Sequence, residues 1–557
     1  MSQDKIQLNI RIGELIPGVL ILNGNRTYGK NETGKRLLYK CIPNNRDLPP
    51  FMVPYELKLG FSKDIKNKYI VFTCEHCNDK HPRGSITHTI GDVNDTSAYY
   101  EYRLYCRNVH DSISEFTQKV RELTKDPERI YASIISNPKF RIESRLDVPV
   151  YSIDPEGCTD IDDAFSIQPL MGEQGYKISI YIANVYVWIE TLGLWDYINN
   201  RVSTIYLPDK RRTMLPAILS ENLCSLVKHK PRIAFCMDVW VDMNGGVIRE
   251  PEFKNVEISL HSNFAYDDPR VMSNPNCILF AGAAACGDFA PRTPPSAGTS
   301  PPASNNDLTS PPIHPTSPIS NPVAETSPPI SSPKAGGVRG AAAPANVIER
   351  WMIYMNTICG DILAHKKNGI FRTATIAENS TNKMRHIIRK WNDVNCVYTT
   401  YSDDVDMSHQ LLQVDAYTHI TSPIRRLVDL LNQTIFIHEM GMADVSTDAI
   451  QFVENWKQKI EYINVKMKSI RKTQTECELM LVPMDCEYNG IVFGKTLLDN
   501  NMFQYSMYVE NLKIFGKVKT PLDLPEYSSA IFRLYYFGDE YNRKLKFQII
   551  ESMIKKV

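Results

Sequence analysis

The chain has 557 residues, 43% of them apolar and 23% charged, which is too long for one ordinary hydrophobic core and too apolar for a disordered or fibrous protein. Its 63 basic residues balance 63 acidic ones, so net charge supplies no general attraction to nucleic acid, and a polyanion would have to be held by local basic patches. Thirteen scattered cysteines fit a reducing compartment and mostly buried thiols better than a disulfide framework. Met1 to Gly13 lacks a signal-peptide pattern and no stretch reaches 18 apolar residues, so an intracellular, most naturally cytoplasmic, protein without a membrane anchor is expected.

In chain order, residues 1–145 alternate short β-type runs (Gly18 to Asn23, Tyr69 to Cys74, Gly84 to Ile90) with turn clusters, which predicts small antiparallel barrels of a kind that binds single strands. Cys74, His76 and Cys77, followed by Cys106 and His110, resemble a loose zinc set; a loop between strands accounts for them without metal, and that reading is preferred. From about Val148 the texture becomes mixed. Lys177 to Ile189 reads as a strand buried on at least one face, Val347 to Asn368 as a helix, and Ala449 to about Val482 as one long helix. These belong to a second domain, 146–482. It is interrupted at Val271 to Asn346, where 13 of the 35 prolines fall between Pro291 and Pro333 amid Ser, Thr and Ala. That composition predicts a disordered insertion, a possible ligand for proline-recognition modules. Residues 485–557 return to short β runs with Gly and Asn turns, predicting a closing barrel.

The string YSIDPEGCTDIDDAFS, Tyr151 to Ser166, places Asp154, Asp160, Asp162 and Asp163 within ten residues, among apolar Ile153, Ile161, Ala164 and Phe165. Like charges so close raise one another's pKa unless a cation intervenes, and hard oxygen donors suit Mg2+, or Mn2+, rather than Zn2+. A solvated acidic turn is the bland alternative, and the apolar setting argues against it. In AYTHITSPIRRLVD, Ala416 to Asp429, Thr421 or Ser422 is placed to cap a helix with Pro423 in its first turn, which puts Arg425 at the positive end of the dipole as an anion site.

DPEGCTDIDDA and AYTHITSPIRRLVD together resemble the two signatures of the ribonuclease II / ribonuclease R (RNB) exoribonucleases, and the likeness extends over about 330 central residues. It implies a multidomain fold in which small OB-type β-barrels flank a central α/β (α+β) RNB catalytic domain, the last barrel S1-like and PRGSITHTIGDVND at 82–95 part of a second cold-shock-type barrel. It implies 3′-to-5′ hydrolysis of single-stranded RNA, processively, to nucleoside 5′-monophosphates by a monomer using two metal ions. In that frame Asp154, Asp160 and Asp163 hold metal, Asp162 is a further metal ligand and the most critical carboxylate, and Arg425 with Arg426 beside it binds the phosphate near the RNA 3′ end. Tyr206, in STIYLP, and Tyr266, in SNFAYD, stack on bases, and Glu349 is a supporting carboxylate. The chain departs from the pattern at Tyr181, Asn184, Leu427 and Gln474, with Glu476 nearby to replace the acid missing at Gln474. Two rival functions remain: an RNA-binding protein on a degenerate nuclease fold, and an interaction scaffold acting through the proline-rich insertion.

Overall fold

The computed structural model describes residues 10–11, 13–57, 65–76, 81–172, 174–243, 245–266, 268–273, 344–375, 396–484, 486–499, 502–512, 514–537 and 544–552. The proline-rich insertion lies outside them from 274 to 343. Its expected margins are helical, in Pro269–Ser273 and at the start of helix Pro344–His365.

The first five strands, β1 (Ile16–Leu20), β2 (Leu37–Pro43), β3 (Phe51–Tyr55), β4 (Lys68–His76) and β5 (Arg83–Asp92), close a barrel in the order β1-β2-β3-β5-β4. The Phe72 ring fills its interior so tightly that a Cβ on Gly84 would meet it at 2.5 Å, which is why a residue without a side chain stands there. The segment 82–95 carries the last strand of this barrel. Three helices follow: Thr96–Cys106, Ser114–Leu123 and Pro127–Ser136. Their start signals are Asp95, whose side chain caps Ser97 N, and Asp126 before Pro127, capping Arg129 N. Cys74 is disulfide-bonded and so is not a zinc thiolate. Cys41, Cys106, Cys158, Cys224, Cys236, Cys359, Cys396, Cys477 and Cys486 are free thiols, most of them buried or half-buried.

The central domain is built on a second closed barrel: β6 (Ile142–Asp154), β7 (Asp163–Pro169), β8 (Gly175–Ala183), β11 (Pro231–Asp242) and β12 (Val247–Ala265), with a two-residue hairpin, β9 (Ile205–Tyr206) and β10 (Arg211–Arg212), between β8 and β11. Strand β6 runs parallel to β12 and pairs Asp154 with Ala265 at one rim. The run 177–189 is a strand only as far as Ala183. There Asn184 turns the chain by accepting a hydrogen bond from Val187 N, and Val185–Leu192 is a helix. Helix Leu427–Glu439 is buried from Leu427 to Ile437, as expected for a helix packed on every side. Its two buried side-chain amides are both committed. Asn432 bonds both polar groups of Ile370 and the carbonyl of His419, while Gln433 donates to Ala183 O and accepts from Tyr186 N. The long helix expected at 449–482 is two, Thr447–Lys457 and Ile460–Leu479, joined at Gln458 and Lys459.

Strands β13 (Glu487–Leu497), β14 (Phe503–Val509), β15 (Ile514–Thr520), β16 (Ser529–Phe537) and β17 (Lys544–Ser552) form a sheet ordered β15-β14-β13-β16-β17 over its own core. The N-terminal helices join the central core, and charged contacts reinforce the seam: Glu101 with Arg212, Ser97 with Asp209, and Arg103 and Arg107 with Glu476. Glu476 is thus a docking residue and not a replacement acid for the site. Among the described residues no helix is long and apolar enough to cross a membrane.

Within the central barrel Arg145 grips Asp238 through two bonds, of 2.8 and 2.7 Å, with Ser179 donating a third at 2.5 Å. Burial raises the Asp238 carboxyl, but these donors prevail and hold it below the ordinary range. Breaking such a pair from one side strands a buried charge. Asp238→Ala is expected to lower stability by about 3–5 kcal/mol in urea unfolding, and Arg145→Met combined with Asp238→Leu to recover most of that loss. Equal losses in the single and double variants would refute this account of the barrel core.

Candidate active site

The acidic string occupies the rim where β6 ends and β7 begins. Asp154 is the last residue of β6, Asp163 the first of β7, and the loop between them carries Asp160 and Asp162. Gly157 makes the turn with φ +75°, a conformation that favours glycine. Ser225 ties the loop down, its Oγ accepting from Ile161 N at 2.9 Å and donating to Thr159 O at 2.8 Å. Leu226 N donates to Ile161 O, and Ala183 N to Asp162 O. A relay orients Asp154: Asn263 donates to Ser152 Oγ at 2.7 Å, and Ser152 donates to Asp154 Oδ2 at 2.7 Å.

The second string meets the first from the other side. Ile424 N donates to Asp162 Oδ1 at 2.9 Å and Arg425 Nε to Asp162 Oδ2 at 3.0 Å. The Asp162 side chain is 3% exposed, whereas that of Arg425 is 42% exposed, so the guanidinium spans from a buried anchor to the open surface. Arg425 Nη2 also donates to Ser422 Oγ, and its carbonyl accepts from Thr204 N and Ser203 Oγ. Pro423 to Arg425 form a turn ahead of the helix, which starts at Leu427 without a side-chain cap. The expected cap at Thr421 or Ser422 is therefore replaced: the buried Asp429 carboxylate accepts from Ser422 N at 2.8 Å and pairs with Arg426. Arg426 consequently turns away from the aspartates, and Arg425 alone of the two faces them.

Burial pushes Asp162 up to about 7 even though Arg425 and the Ile424 amide lower it. Burial also raises Asp154 and Asp163, and the two carboxyls oppose each other's ionisation. Both oxygens of Asp160 have partners: Arg211 Nη1 lies 2.5 Å from Oδ1, and the Tyr206 hydroxyl donates to Oδ2 at 3.2 Å. Tyr206, expected as a base platform, is thereby fastened to the acidic loop. Tyr266 follows β12, donates its amide to Asp154 O, and is 36% exposed at the rim. Glu349 is half-buried on helix Pro344–His365 and is not among the partners named above for the aspartates.

Arg211 and Ser225 are components that sequence reading did not single out. The available signal was a pair of arginines five residues beyond Tyr206, with no indication that a hairpin would fold them back. Asn184, a departure from the family pattern, is fully buried and donates to Asn255, which in turn donates to the carbonyls of Phe140 and Met442. It is a helix cap and a link to neighbouring segments rather than a vacant ligand position.

In donor chemistry the four carboxylates fit a hard divalent ion, since three of them are pushed towards neutrality by burial and mutual repulsion. In arrangement, no group of three or more acidic, His or Cys side chains among the described residues is placed to hold one ion, and Asp160 is turned to Arg211.

A family model described as the RNB domain matches residues 144–276 and 338–440. The chain carries an RNB domain. Both signatures of the site lie within the matched residues. A curated relative, the probable exosome complex exonuclease RRP44 of Caenorhabditis elegans, is 27% identical over 220 residues, covering 38% of this chain and 22% of that protein. The chain matches between 20% and 26% of the length of the first curated relatives. Among solved structures, Mycoplasma genitalium RNase R in complex with ribose-methylated single-stranded RNA superposes with a TM-score of 0.66 at 15% identity, covering 96% of this chain and 89% of that one. Yeast Ssd1, a pseudonuclease, superposes at 0.56 and 15% identity, covering 97% and 68%. At such identities these structures establish the fold surrounding the RNB domain, and nothing more.

Ser225→Ala leaves the Ile161 amide and the Thr159 carbonyl without their buried partner and is expected to cost about 2 kcal/mol. Hydrogen exchange at residues 158–163 should accelerate in step. Unchanged protection there would show that Ser225 does not hold the acidic loop.

Proposed function

We propose that the chain is a 3′-to-5′ exoribonuclease acting on single-stranded RNA, with a divalent ion, Mg2+ or Mn2+, as cofactor. One observation carries the reading: Arg425 is fixed to the buried Asp162 by its Nε while much of its side chain stays open to the surface. A phosphodiester placed over this pair would meet a positioned cation next to the carboxylates, the arrangement that stabilises charge developing on phosphate. Asp154, Asp160, Asp162 and Asp163 would hold the metal, which when bound would neutralise the carboxylates and supply an activated water. Asp162 would have two duties, orienting Arg425 and facing the scissile phosphate. Tyr266 at the rim and Tyr206 beside Asp160 would receive the terminal bases, since stacking tolerates any base as the strand advances. Arg426 would act indirectly, by bracing Asp429 and the turn that presents Arg425. Glu349 remains a candidate supporting carboxylate.

The N-terminal barrel and the C-terminal sheet share one strand order, in which the first strand lies between the second and the fourth, and the fifth flanks the fourth. That is the order of oligonucleotide-binding barrels, and we read both as surfaces that lead single-stranded RNA to the rim.

A second reading, RNA binding without cleavage, is favoured by the state of Asp160, both of whose oxygens are engaged. One assay separates the two. With 5′-labelled single-stranded RNA and Mg2+, the wild type should shorten the strand progressively to a small limit product. Asp162→Asn should slow this by at least about a hundredfold, the scale of losing one preorganised electrostatic contact, while still retaining RNA on a filter. Wild-type protein that binds the RNA yet leaves it whole in both Mg2+ and Mn2+ would sink the nuclease reading and leave the second.

A further inference from the structure

Arg211 is the least expected component of the site. It sits on β10, opposite Tyr206 of β9, so a hairpin of two residue pairs places one arginine and one tyrosine together against the acidic loop. Its guanidinium touches three groups. Nη1 bonds Asp160 Oδ1, Nη2 bonds the Thr159 hydroxyl, and Nη2 also lies 2.8 Å from Glu221 Oε1. The Asp160 side chain is 4% exposed, and those of Arg211 and Glu221 are 25% and 35% exposed. A single cation is thus shared between an inner carboxylate, which belongs to the quartet, and an outer one on the π-helical turn Ile218–Leu223, which does not.

We propose that Arg211 is an internal cation that competes with the divalent ion for Asp160, and that Glu221 is the carboxylate on which it rests when Asp160 turns to the metal. The inference depends on the metal-dependent reading above. Three considerations support it. The four aspartates carry too much like charge for one desolvated rim, and Arg211 neutralises Asp160, one of the three that Arg425 does not hydrogen-bond. With Arg211 on Oδ1 and Tyr206 on Oδ2, both Asp160 oxygens are held by donors that a metal ion would have to displace. Glu221 is already in contact, so Arg211 needs only to give up Asp160 and Thr159, without crossing solvent or losing every charge partner.

Arg211 is accordingly a positioning residue that raises the metal concentration the site requires. Its removal should tighten metal binding, whereas an arginine serving only to fasten the hairpin would, when removed, loosen the site. Removing Glu221 should do the reverse, by leaving Arg211 wholly on Asp160.

The test is Mn2+ binding to the RNA-free protein, followed through loss of the free Mn2+ electron paramagnetic resonance signal, with thermal melting as a check on folding. Arg211→Gln is expected to bind Mn2+ about tenfold more tightly than the wild type, and Glu221→Gln about threefold more weakly, the range for a half-buried ion pair released or strengthened. Wild-type binding that Arg211→Gln leaves unchanged or weakens would overturn the inference alone. If neither wild type nor Arg211→Gln binds Mn2+, the inference and the metal-dependent reading fall together. If Arg211→Gln melts early, Arg211→Lys, which keeps the charge but not the planar fork, should give an intermediate affinity; one equal to the wild type would likewise overturn the inference.

Discussion

The repulsion among four carboxylates at one barrel rim is the constraint on which the rest of this molecule turns. A rim that buries Asp160 and Asp162 and partly buries Asp154 and Asp163 is stable only with compensating donors and cations. The fold supplies them from four separate stretches of chain: Ser152, itself held by Asn263, to Asp154, Tyr206 and Arg211 to Asp160, and Ile424 and Arg425 to Asp162. Burial still pushes Asp162 up to about 7 against its donors and raises Asp154 and Asp163, so the rim favours a further positive charge.

The distribution of the supports explains why a barrel carries this site. The ends of β6 and β12, paired in parallel, set Asp154 and Tyr266 side by side, and β8 ends against the backbone of Asp162. Helix Leu427–Glu439 then fixes the arginine strand of the site to the same rim. Gln433 grips Ala183 O, whose own amide holds Asp162 O, while Asp429 holds the turn that carries Ser422 and Arg425. That helix thereby couples the two signature strings, whose contact Ile424–Asp162 spans 262 residues of sequence.

The features legible from sequence were those whose physics is local. Four aspartates within ten residues announce an electrostatic conflict wherever they fold, and SPIRR announces an arginine near a helix start, although the helix begins only at Leu427, after a turn. Segments whose structure depends on distant partners were not legible. The run 177–189 is mostly apolar because the barrel strand and the helix after it are both buried, so periodicity did not mark the change at Asn184. The break at Gln458 and Lys459 carries neither Gly nor Pro. The helices at 96–136 did display caps, Asp95 and Asp126 with Pro127, but they followed a β-rich stretch whose texture dominated the reading. Arg426 and Glu476 looked like site residues by position, yet geometry commits them to Asp429 and to the N-terminal helix. Arg211 was invisible because only the two-residue hairpin brings it back to Asp160.

Under the proposed function the two strings form a single phosphate site at the rim. The most direct test is a crystal structure of Asp162→Asn with a short single-stranded oligoribonucleotide. The account predicts the last phosphodiester at the 3′ end within hydrogen-bond distance of the Arg425 guanidinium, facing Asp154 and Asp163. An oligonucleotide whose 3′ end lies away from this rim, with Arg425 untouched, would contradict it.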